Sequence, residues 1–417
     1  KRKGEEDGCG EMMMNSGHIK NLPDDILLEI MSWLPVESVL KCKLVCKKLQ
    51  KLLHGKRSFF TNMHVSRQFH RLHGGSDADN GLLFCGTTDT NQVSLFYGGI
   101  YNDKINTDDV YDFEKTLKKV RHPSMHHKFP QQYLVGSCNG LVCLDRCHHP
   151  CVDPTYVYNP ATGEYVNLPK LIIHKGSSFP RVARGFGYVP STNEYKVVRI
   201  FYPDREMAGQ VQVYTLGSGC GWRTKSTPFP WVNYEPPASF ADGSLYWYRK
   251  LKVYAFDLAK EEMRMVLSPP CDTLALSLVH DNFGLVVLRG NLCFFRQTLN
   301  APHMEIWSLK KSDMKESWCK YFSIVYEKEF SVEFFWPIMV TKNKIIFTKN
   351  YETIHCYDPE TTSWKEIVAE DPDFFIENIW VIAHVNSFVS LRSLGENSRK
   401  KSRRNKKIGL LNVGSLA

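Results

Sequence analysis

The feature of this sequence that most constrains its fold is a turn followed at once by a short apolar strand, repeated beyond residue 80. Asn, Asp or Gly mark each turn, and Val, Ile, Leu, Phe, Tyr or Trp follow. The marks fall at positions 81, 140, 193, 243, 291, 343 and 386, so the steps run from 43 to 59 residues. Asn and Gly tolerate the positive φ that tight hairpins require. Each mark therefore predicts a turn between two antiparallel strands of an all-β domain.

A second recurring element is a strand with an aromatic residue near its end, followed by a polar turn. These aromatic residues are Phe96, Tyr158, Tyr214, Phe256, Trp307 and Tyr357. Two of the turns are nearly alike, with Asn159-Pro160 in one and Asp358-Pro359 in the other. The two series interleave, and interleaved series with a period near fifty residues are typical of four-stranded blades around an axis. We predict a large β-propeller of six or seven kelch-like blades. Either a last strand near Phe388 closes the ring or a seventh blade is present.

The region before residue 80 has a helical pattern instead. Pro23 suits the first turn of a helix. Ile26, Ile30 and Leu34 then recur four residues apart, so one face of the helix is apolar. Pro35 ends this helix, because the residue before a proline avoids the α-helical region. A second apolar stripe continues to Leu53. Helices this short need a partner, either the rest of the chain or another protein.

The helical region carries an ordered motif. Its members are Leu22-Pro23, Ile26, Ile30, Leu34-Pro35, Leu40 and Val45-Cys46-Lys47. This order resembles an F-box, the adaptor-docking helices of cullin-RING ubiquitin ligases. The family usually has Trp three residues after this Cys, and Leu49 stands there in this sequence. From periodicity alone, an ordinary helical hairpin packed on its own domain is the alternative.

The F-box resemblance implies a partner and a set of binding residues. The partner is a Skp1-type adaptor, which in turn binds a cullin and a RING protein. The residues implied to contact the adaptor are Leu22, Pro23, Ile26, Leu27, Ile30, Leu34, Pro35, Val39, Leu40, Val45, Cys46 and Leu49.

The all-β region carries a second resemblance, in three motifs. They are the segment 135–144 (VGSCNGLVCL), the turn Tyr158-Asn159-Pro160, and Gly185-Phe186-Gly187-Tyr188 ahead of the strand 193–198. In this order, after an F-box, they are similar to the F-box-associated domain of plant F-box proteins. We therefore expect small all-α F-box helices followed by the propeller. The expected boundaries are a disordered N-terminus at 1–18, an F-box at 19–62, a linker at 63–79, a propeller at 80–392 and a basic, disordered tail at 393–417.

Composition indicates a folded protein of the cytoplasm or nucleus. Of the 417 residues, 43% are hydrophobic and 12% aromatic, which is typical of globular domains. The thirteen cysteines are odd in number and scattered, so we expect reduced, buried thiols and no disulfide framework. The first twenty residues contain no apolar run of the kind found in secretory signals. No run is long enough to span a membrane, so we expect no membrane partner.

Most of the net charge of +9 comes from one basic stretch. Its seven charged residues are Arg399, Lys400, Lys401, Arg403, Arg404, Lys406 and Lys407. Such a stretch is either a nuclear import signal or a solvated tail, and nucleic-acid binding is a third and weaker interpretation. The rest of the chain is close to neutral and does not indicate a nucleic-acid surface.

Few residues of the sequence suggest a catalytic, metal-binding or phosphate-binding site. Cys138, Cys143, Cys147, His148, His149 and Cys151 are close enough in sequence to suggest zinc, but they lack a paired C-x₂-C half-site. His122, His126 and His127 fall in a predicted loop, where solvated side chains are the simpler interpretation. The glycine-rich segment 217–222 has no following helix, so it indicates a turn and not a phosphate-binding loop. We therefore predict no cofactor and no catalytic residue.

The resemblances favour one function over two others. The first is the substrate-recognition subunit of an SCF-type (Skp1–cullin–F-box) ubiquitin ligase, whose propeller holds a target protein. The alternatives are a propeller scaffold independent of ubiquitin and a propeller hydrolase or metal-dependent enzyme. The sequence does not name the target, because specificity lies in loops. Aromatic residues near strand ends are candidates for target contacts or for packing: Trp222, Trp231, Tyr234, Trp336 and Trp380.

Overall fold

A computed structural model describes most of the chain. The described ranges are 22–45, 47–55, 57–73, 81–87, 93–99, 118–120, 132–146, 155–170, 181–202, 208–270, 281–298, 303–312, 315–326, 333–341, 344–367 and 377–400. The chain divides into two compact units, a smaller one at Lys1–Gln68 and a larger one at Phe69–Ala417. The first contains helices and the second is built from strands.

Four helices form the N-terminal region: α1 (Asp24–Ser32), α2 (Val36–Val45), α3 (Lys47–Gly55) and α4 (Arg57–His73). Pro23 precedes α1 and Asp24 and Asp25 occupy its first turn, where the helix dipole favours acidic side chains. Pro35 separates α1 from α2 as the sequence predicts. The stretch expected to be a linker at 63–79 is helical as far as His73.

The larger unit consists of strands throughout the described ranges. They are β1 (Gly81–Thr87), β2 (Val93–Gly99), β3 (Lys118–Val120), β4 (Gln132–Cys138), β5 (Leu141–Arg146), β6 (Tyr156–Tyr158), β7 (Glu164–Asn167), β8 (Arg181–Val189), β9 (Glu194–Tyr202), β10 (Ala208–Thr215), β11 (Trp222–Thr224), β12 (Phe229–Pro230), β13 (Ser239–Ala241), β14 (Ser244–Arg249), β15 (Lys252–Asp257), β16 (Glu262–Val266), β17 (Asp281–Leu288), β18 (Asn291–Thr298), β19 (His303–Ser312), β20 (Lys315–Val325), β21 (Phe335–Thr341), β22 (Lys344–Lys349), β23 (Thr353–Asp358), β24 (Ser363–Ile367), β25 (Glu377–His384) and β26 (Arg399–Lys400).

These strands make six antiparallel sheets, which are the blades of a six-bladed β-propeller. In chain order, blade 1 is β25-β1-β2-β3, blade 2 is β4-β5-β6-β7-β26, blade 3 is β8-β9-β10-β11 with β12 beside β10, blade 4 is β13 to β16, blade 5 is β17 to β20 and blade 6 is β21 to β24. The first strand of each blade contacts the first strand of the next, from β4 around to β25 and back to β4. The contacts therefore close a ring.

The second strand of a blade is its most buried part. In β5, the four residues Leu141–Leu144 are all buried, and most of β14 and β22 is buried too. Both faces of such a strand are covered, because each blade packs between two others. This explains why the sequence shows continuous apolar runs there and no strict alternation of apolar and polar residues. Each fully buried large apolar side chain contributes about 1.5–3 kcal/mol.

Both sequence series mark real positions in the blades. The turn marks from 81 to 291 fall where the first strand of a blade meets the second, as at Asn139-Gly140 between β4 and β5, and the mark at 343 lies outside the described residues. Asn139 and Gly140 both have positive φ, 50° and 81°. The aromatic marks all lie in third strands, namely β2, β6, β10, β15, β19 and β23. The predicted propeller is confirmed, with six blades.

Ring closure differs from the expectation. The closing strand is β25, which pairs with β1 so that Gly81 lies opposite His384, and the predicted strand near Phe388 is wrong. The mark at 386 follows β25 as the other marks follow first strands. Marks 81 and 386 therefore belong to the same blade, because blade 1 takes its first strand from the C-terminal part of the ring. For this reason the extra mark does not signal a seventh blade.

The segment after β25, which we call the C-terminal strap (residues 385–400), lies on blades 2 and 3. The Nδ2 group of the buried Asn159 donates hydrogen bonds to the carbonyl oxygens of Ser387 (3.1 Å) and Val389 (2.7 Å). The Glu396 carboxylate accepts from the Gly217 N–H at 2.8 Å and from the Tyr214 hydroxyl at 3.2 Å. The strap ends in β26, which extends blade 2 beside β7. Residues 393–400, which the sequence predicts to begin the tail, are thus part of the described strap.

In two of the turns between third and fourth strands, an Asn or Asp side chain accepts hydrogen bonds from the backbone of the turn. The Oδ1 atom of Asn159 accepts from the N–H groups of Ala161 (2.9 Å) and Thr162 (3.1 Å). Asp358 accepts from the Glu360 N–H at 3.0 Å in the matching turn of blade 6. Such side-chain to backbone bonds let Asn and Asp start a turn.

Between blades 3 and 4, several cationic side chains donate hydrogen bonds to one buried carboxylate. Glu261, in the turn before β16, accepts hydrogen bonds from Lys196 (3.0 Å), Arg223 (2.6 Å) and Lys225 (3.2 Å). Burial alone would raise the pKa of Glu261, but these bonds outweigh burial and lower its pKa to about 2. The carboxylate therefore stays charged and helps to join the two blades.

Candidate functional site

The first candidate site is an apolar surface on the helical unit, defined by Ile26, Ile30, Leu44 and Val45. Ile26 and Ile30 are one helical turn apart on α1, and both are exposed. Leu44 and Val45 end α2 and are 83% and 76% exposed. Side chains of this size are usually buried, so these four, with the exposed Trp33 and Phe59 in the same small unit, suggest a surface that another molecule covers.

Contacts from α4 hold the end of α1 and the turn that follows it. The Arg67 guanidinium donates to the Glu29 carbonyl oxygen at 2.9 Å and also pairs with the Glu29 carboxylate. It lies 4.6 Å from the centre of the Trp33 ring, within the range of a cation–π contact. The ring of the buried His64 places Nε2 at 2.9 Å from the Leu34 carbonyl oxygen. The second half of α1 is therefore fixed by polar contacts, and its exposed apolar residues are not held by packing alone.

The residues predicted to bind the adaptor divide between surface and core. Exposed members are Pro23, Ile26, Ile30 and Val45, while Leu22, Leu34, Pro35 and Leu40 are half-buried. Leu27, Val39 and Leu49 are buried, with at most 3% of each exposed. Their side chains form the core of the helical unit, and adaptor contact by these three stays a prediction. Cys46 lies outside the described residues.

The second candidate site is a cavity of about 430 Å³ in the propeller. Aromatic side chains from four blades line it: Tyr248, Phe283, Phe334, Trp336, Tyr351 and Trp380. Phe283 and Trp336 lie near the starts of first strands β17 and β21, and Tyr351 lies in the turn from β22 to β23. Starts of first strands and turns from second to third strands fall on the same face of a propeller. The cavity thus opens on that face.

The aromatic residues of the cavity support one another. Tyr351 stacks on Trp380 with ring centres 5.0 Å apart, and Phe334 lies 5.4 Å from Tyr351. The rings of Trp336 and Phe295 make a T-shaped contact, with their centres 5.0 Å apart. These rings are thus positioned before any ligand arrives, which lowers the entropy cost of binding.

Glycine makes room for one of these rings. A Cβ atom on Gly284 would lie 2.7 Å from the Trp336 ring, so only glycine lets this indole pack on β17.

Two acids also line the cavity. Asp281 pairs with Arg296 at 2.7 Å, and both side chains are largely buried. Glu235 is exposed and lies in the segment between β12 and β13. Burial, followed by the nearby Tyr248 and the charge of Glu235, raises the pKa of Tyr351 to about 12. The Tyr351 hydroxyl therefore keeps its proton at neutral pH.

Of the five aromatic residues singled out from sequence, two line the cavity. These are Trp336 and Trp380. Trp231 and Tyr234 lie in the same segment as Glu235, and the Arg181 guanidinium is 4.9 Å and 5.8 Å from their ring centres.

The remaining aromatic residue is a packing residue. Trp222 donates its indole N–H to the Pro169 carbonyl oxygen at 2.8 Å. The Arg199 guanidinium lies 3.8 Å from the centre of the Trp222 ring.

Within the described ranges, no group of three or more His, Cys, Asp or Glu is arranged to hold a metal ion. Cys138 and Cys143 lie in β4 and β5, and burial raises the pKa of each thiol. The predicted partners Cys147, His148, His149 and Cys151 lie outside the described residues, as do His122, His126 and His127. The segment 217–222 forms a turn between β10 and β11. No helix in the described part of the chain is both long and apolar enough to cross a membrane.

The basic stretch is only partly described. Arg399 and Lys400 form β26, in which Arg399 pairs with Tyr165 and Lys400 with Glu164. The other five basic residues, from Lys401 to Lys407, lie outside the described ranges. A role of this stretch as a nuclear import signal therefore stays a prediction.

The family of this chain follows from its two parts. Residues 19–61 match the F-box domain, which defines the class of the helical unit. Residues 101–389 match the F-box associated beta propeller domain, and the chain belongs to this family. F-box domains generally bind Skp1-type adaptors, and an F-box joined to a propeller implies a general role in SCF-type substrate recognition.

Curated plant proteins are similar to this chain. F-box protein At3g07870 of Arabidopsis thaliana is 28% identical, over 74% of this chain and 73% of its own length. F-box/LRR-repeat protein At2g43260 of the same plant is 27% identical, over 84% of this chain and 79% of its own. Among solved structures, an oligogalacturonate lyase in complex with manganese overlaps 72% of this chain and 76% of its own, with 8% identity and a TM-score of 0.39. That likeness is too loose to bear on function.

Several site residues escaped the sequence reasoning. Leu44 lies on the exposed surface although the periodicity assigned it to an apolar stripe. Phe283, Phe334 and Tyr351 come from three separate parts of the chain and meet only in the ring. The cluster of aromatic residues at 334–336 was the one local signal that could have indicated the cavity.

Proposed function

We propose that this protein is the substrate-recognition subunit of an SCF-type ubiquitin ligase. The observation that carries the proposal is the exposed apolar surface of the F-box helices, in a chain whose other unit is a propeller. The F-box would bind a Skp1-type adaptor, and the propeller would hold a target protein near the ubiquitin-charged enzyme. The chain itself then supplies no reacting group, and catalysis rests on proximity.

The physical reason for an adaptor is the cost of leaving the apolar surface in water. Burying one large aliphatic side chain contributes about 1.5–3 kcal/mol. Ile26, Ile30, Leu44 and Val45 present four such side chains. A partner with a matching apolar groove therefore gains enough free energy to offset the cost of association.

The test is co-purification of the full chain with a Skp1-type adaptor, followed by calorimetric titration. Ile30→Glu is the informative variant, since Ile30 is exposed and a charge there leaves the core intact. We expect it to weaken adaptor binding about ten- to a hundredfold, the equivalent of one buried aliphatic side chain. The matched control is Val325→Glu, the same change at an exposed apolar residue of β20, which should bind as wild type.

Two results would contradict the proposal. One is a well-folded wild-type chain that forms no complex with a Skp1-type adaptor, which would favour a scaffold independent of ubiquitin. The other is equal binding by wild type and Ile30→Glu, which would move the adaptor contact away from this surface.

A further inference from the structure

The aromatic cavity combines ring faces with negative charge. Six of the residues that line it are aromatic and two are carboxylic acids. Among the described residues that line the cavity, none is Lys or Arg. Ring faces carry partial negative charge and attract a cation placed within about 6 Å of the ring centre. The lining therefore favours a cationic group over a neutral or anionic one.

The two acids contribute differently. Arg296 offsets the charge of Asp281, since their side chains pair at 2.7 Å. Glu235 lies at the exposed rim, and its charge is felt at Tyr351, where it adds to the effect of burial on the pKa. Glu235 is therefore the exposed carboxylate of the lining, while Asp281 is a buried part of the wall.

The same face already holds a cation in this way. The Arg181 guanidinium lies over the rings of Trp231 and Tyr234, at 4.9 Å and 5.8 Å from their centres. These two residues lie in the same segment as Glu235, just before it in sequence. The chain thus uses aromatic faces in this region to bind a guanidinium group within the molecule, and the cavity offers a similar environment that opens to solvent.

We propose that the cavity takes the side chain of an arginine or lysine of the target protein. This inference rests on the proposed function, because it names the feature by which the propeller recognises its target. A cavity of about 430 Å³ is within the usual range for binding pockets and admits one or two side chains. It is too small for a helix, whose diameter with side chains is about 10–12 Å. The target would therefore present its basic residue from a loop or an extended segment.

The test is a titration of the ¹⁵N-labelled full chain, observed through the indole N–H signals of Trp336 and Trp380. Trp→Phe variants at these two positions assign the signals. The probes are N-acetyl-arginine-N-methylamide, its lysine counterpart, and the citrulline counterpart, which has nearly the shape of arginine without the charge. We expect the two indole signals to move with the cationic probes and not with citrulline.

Two variants test the parts of the site. Glu235→Gln removes the charge at the rim and should weaken binding of the arginine probe about threefold, as an exposed charge pair does. Glu262→Gln removes the same charge from exposed strand β16, away from the cavity, and should bind as wild type. Tyr351→Asn removes one aromatic wall, and it suits the positive φ of 59° at that position because Asn tolerates this conformation. It should weaken binding while circular dichroism shows an intact fold.

Each contrary outcome is distinct. Equal binding of arginine and citrulline, equal weakening by Glu235→Gln and Glu262→Gln, or no movement of the two indole signals would each overturn the cation site. If the chain still forms the adaptor complex in that case, the receptor function stands without it. Cation binding in a chain that forms no adaptor complex would support the site and contradict the proposed function.

Discussion

Replacing Asn159 with Asp tests how the C-terminal strap is held to the ring. The two side chains have the same shape, so the Oδ1 bonds from the N–H groups of Ala161 and Thr162 survive. The Nδ2 group becomes a carboxylate oxygen, which can no longer donate to the carbonyls of Ser387 and Val389. Both hydrogen bonds are lost, and two acceptors then face a negative charge at a buried position.

The expected loss of stability is about 3–5 kcal/mol. The two lost hydrogen bonds together cost about 2 kcal/mol net, and the buried negative charge that faces the two carbonyl oxygens adds about 1–3 kcal/mol. Burial without a paired cation raises the pKa of the new carboxyl group. A protonated carboxyl group regains one donor, so the difference from wild type should shrink as the pH falls from 7 to 5.

The assay is urea unfolding followed by tryptophan fluorescence, with hydrogen exchange of residues 385–398 as the local measure. Asp358→Asn is the matched control, because it changes the same position of the matching turn in blade 6 and keeps the acceptor for the Glu360 N–H. That control loses only a partly exposed ion pair with Lys344 and should cost at most about 1 kcal/mol. If Asn159→Asp unfolds at the wild-type urea concentration, or leaves exchange of the strap unchanged, Asn159 does not hold the strap.

Two further predictions concern the strap and the charge cluster. Gly217→Ala should destabilise the ring by about 2–4 kcal/mol by urea unfolding, because its Cβ would lie 1.5 Å from the Leu394 carbonyl oxygen. Gly219→Ala has a similar φ and an open surrounding, so it should cost only about 1 kcal/mol, and equal effects would refute the steric argument. The pKa of Glu261 is lower in the folded state, about 2, than its ordinary 4.5, so its stabilisation is complete above about pH 5 and falls as the pH drops toward 2. That contribution is about 3 kcal/mol, and Glu261→Gln should flatten the dependence of unfolding free energy on pH between 5 and 3; a curve parallel to wild type would contradict it.

The blade pattern could be predicted from sequence because it is local. A turn that needs positive φ, as at Asn139-Gly140, is encoded by the residues that form it. The interleaved aromatic marks locate third strands for a similar reason. The closing strand β25 could not be placed in this way, because no local pattern within residues 377–384 indicates that this strand pairs with β1, about three hundred residues earlier.

The candidate sites divide in the same way. Helical periodicity correctly identifies apolar residues such as Ile30 and Leu27, but it does not say which of them face the core. That choice depends on where α4 packs, as its contact from Arg67 to Glu29 shows. The cavity depends on four blades meeting at one face, so its lining follows from ring closure and not from any stretch of sequence.

The position of β25 in blade 1 also sets an order of events during synthesis. The ribosome releases the F-box helices first, and blades 3 to 6 can form all their strand pairs while the chain is still growing, whereas blade 2 lacks only β26. Blade 1 must wait for residues 377–384, because β1 has no inner neighbour until they emerge. Trp380 of that strand is also a wall of the cavity. A chain interrupted before this strand would therefore contain the F-box helices and an incomplete ring, and the cavity becomes available only when the ring is joined.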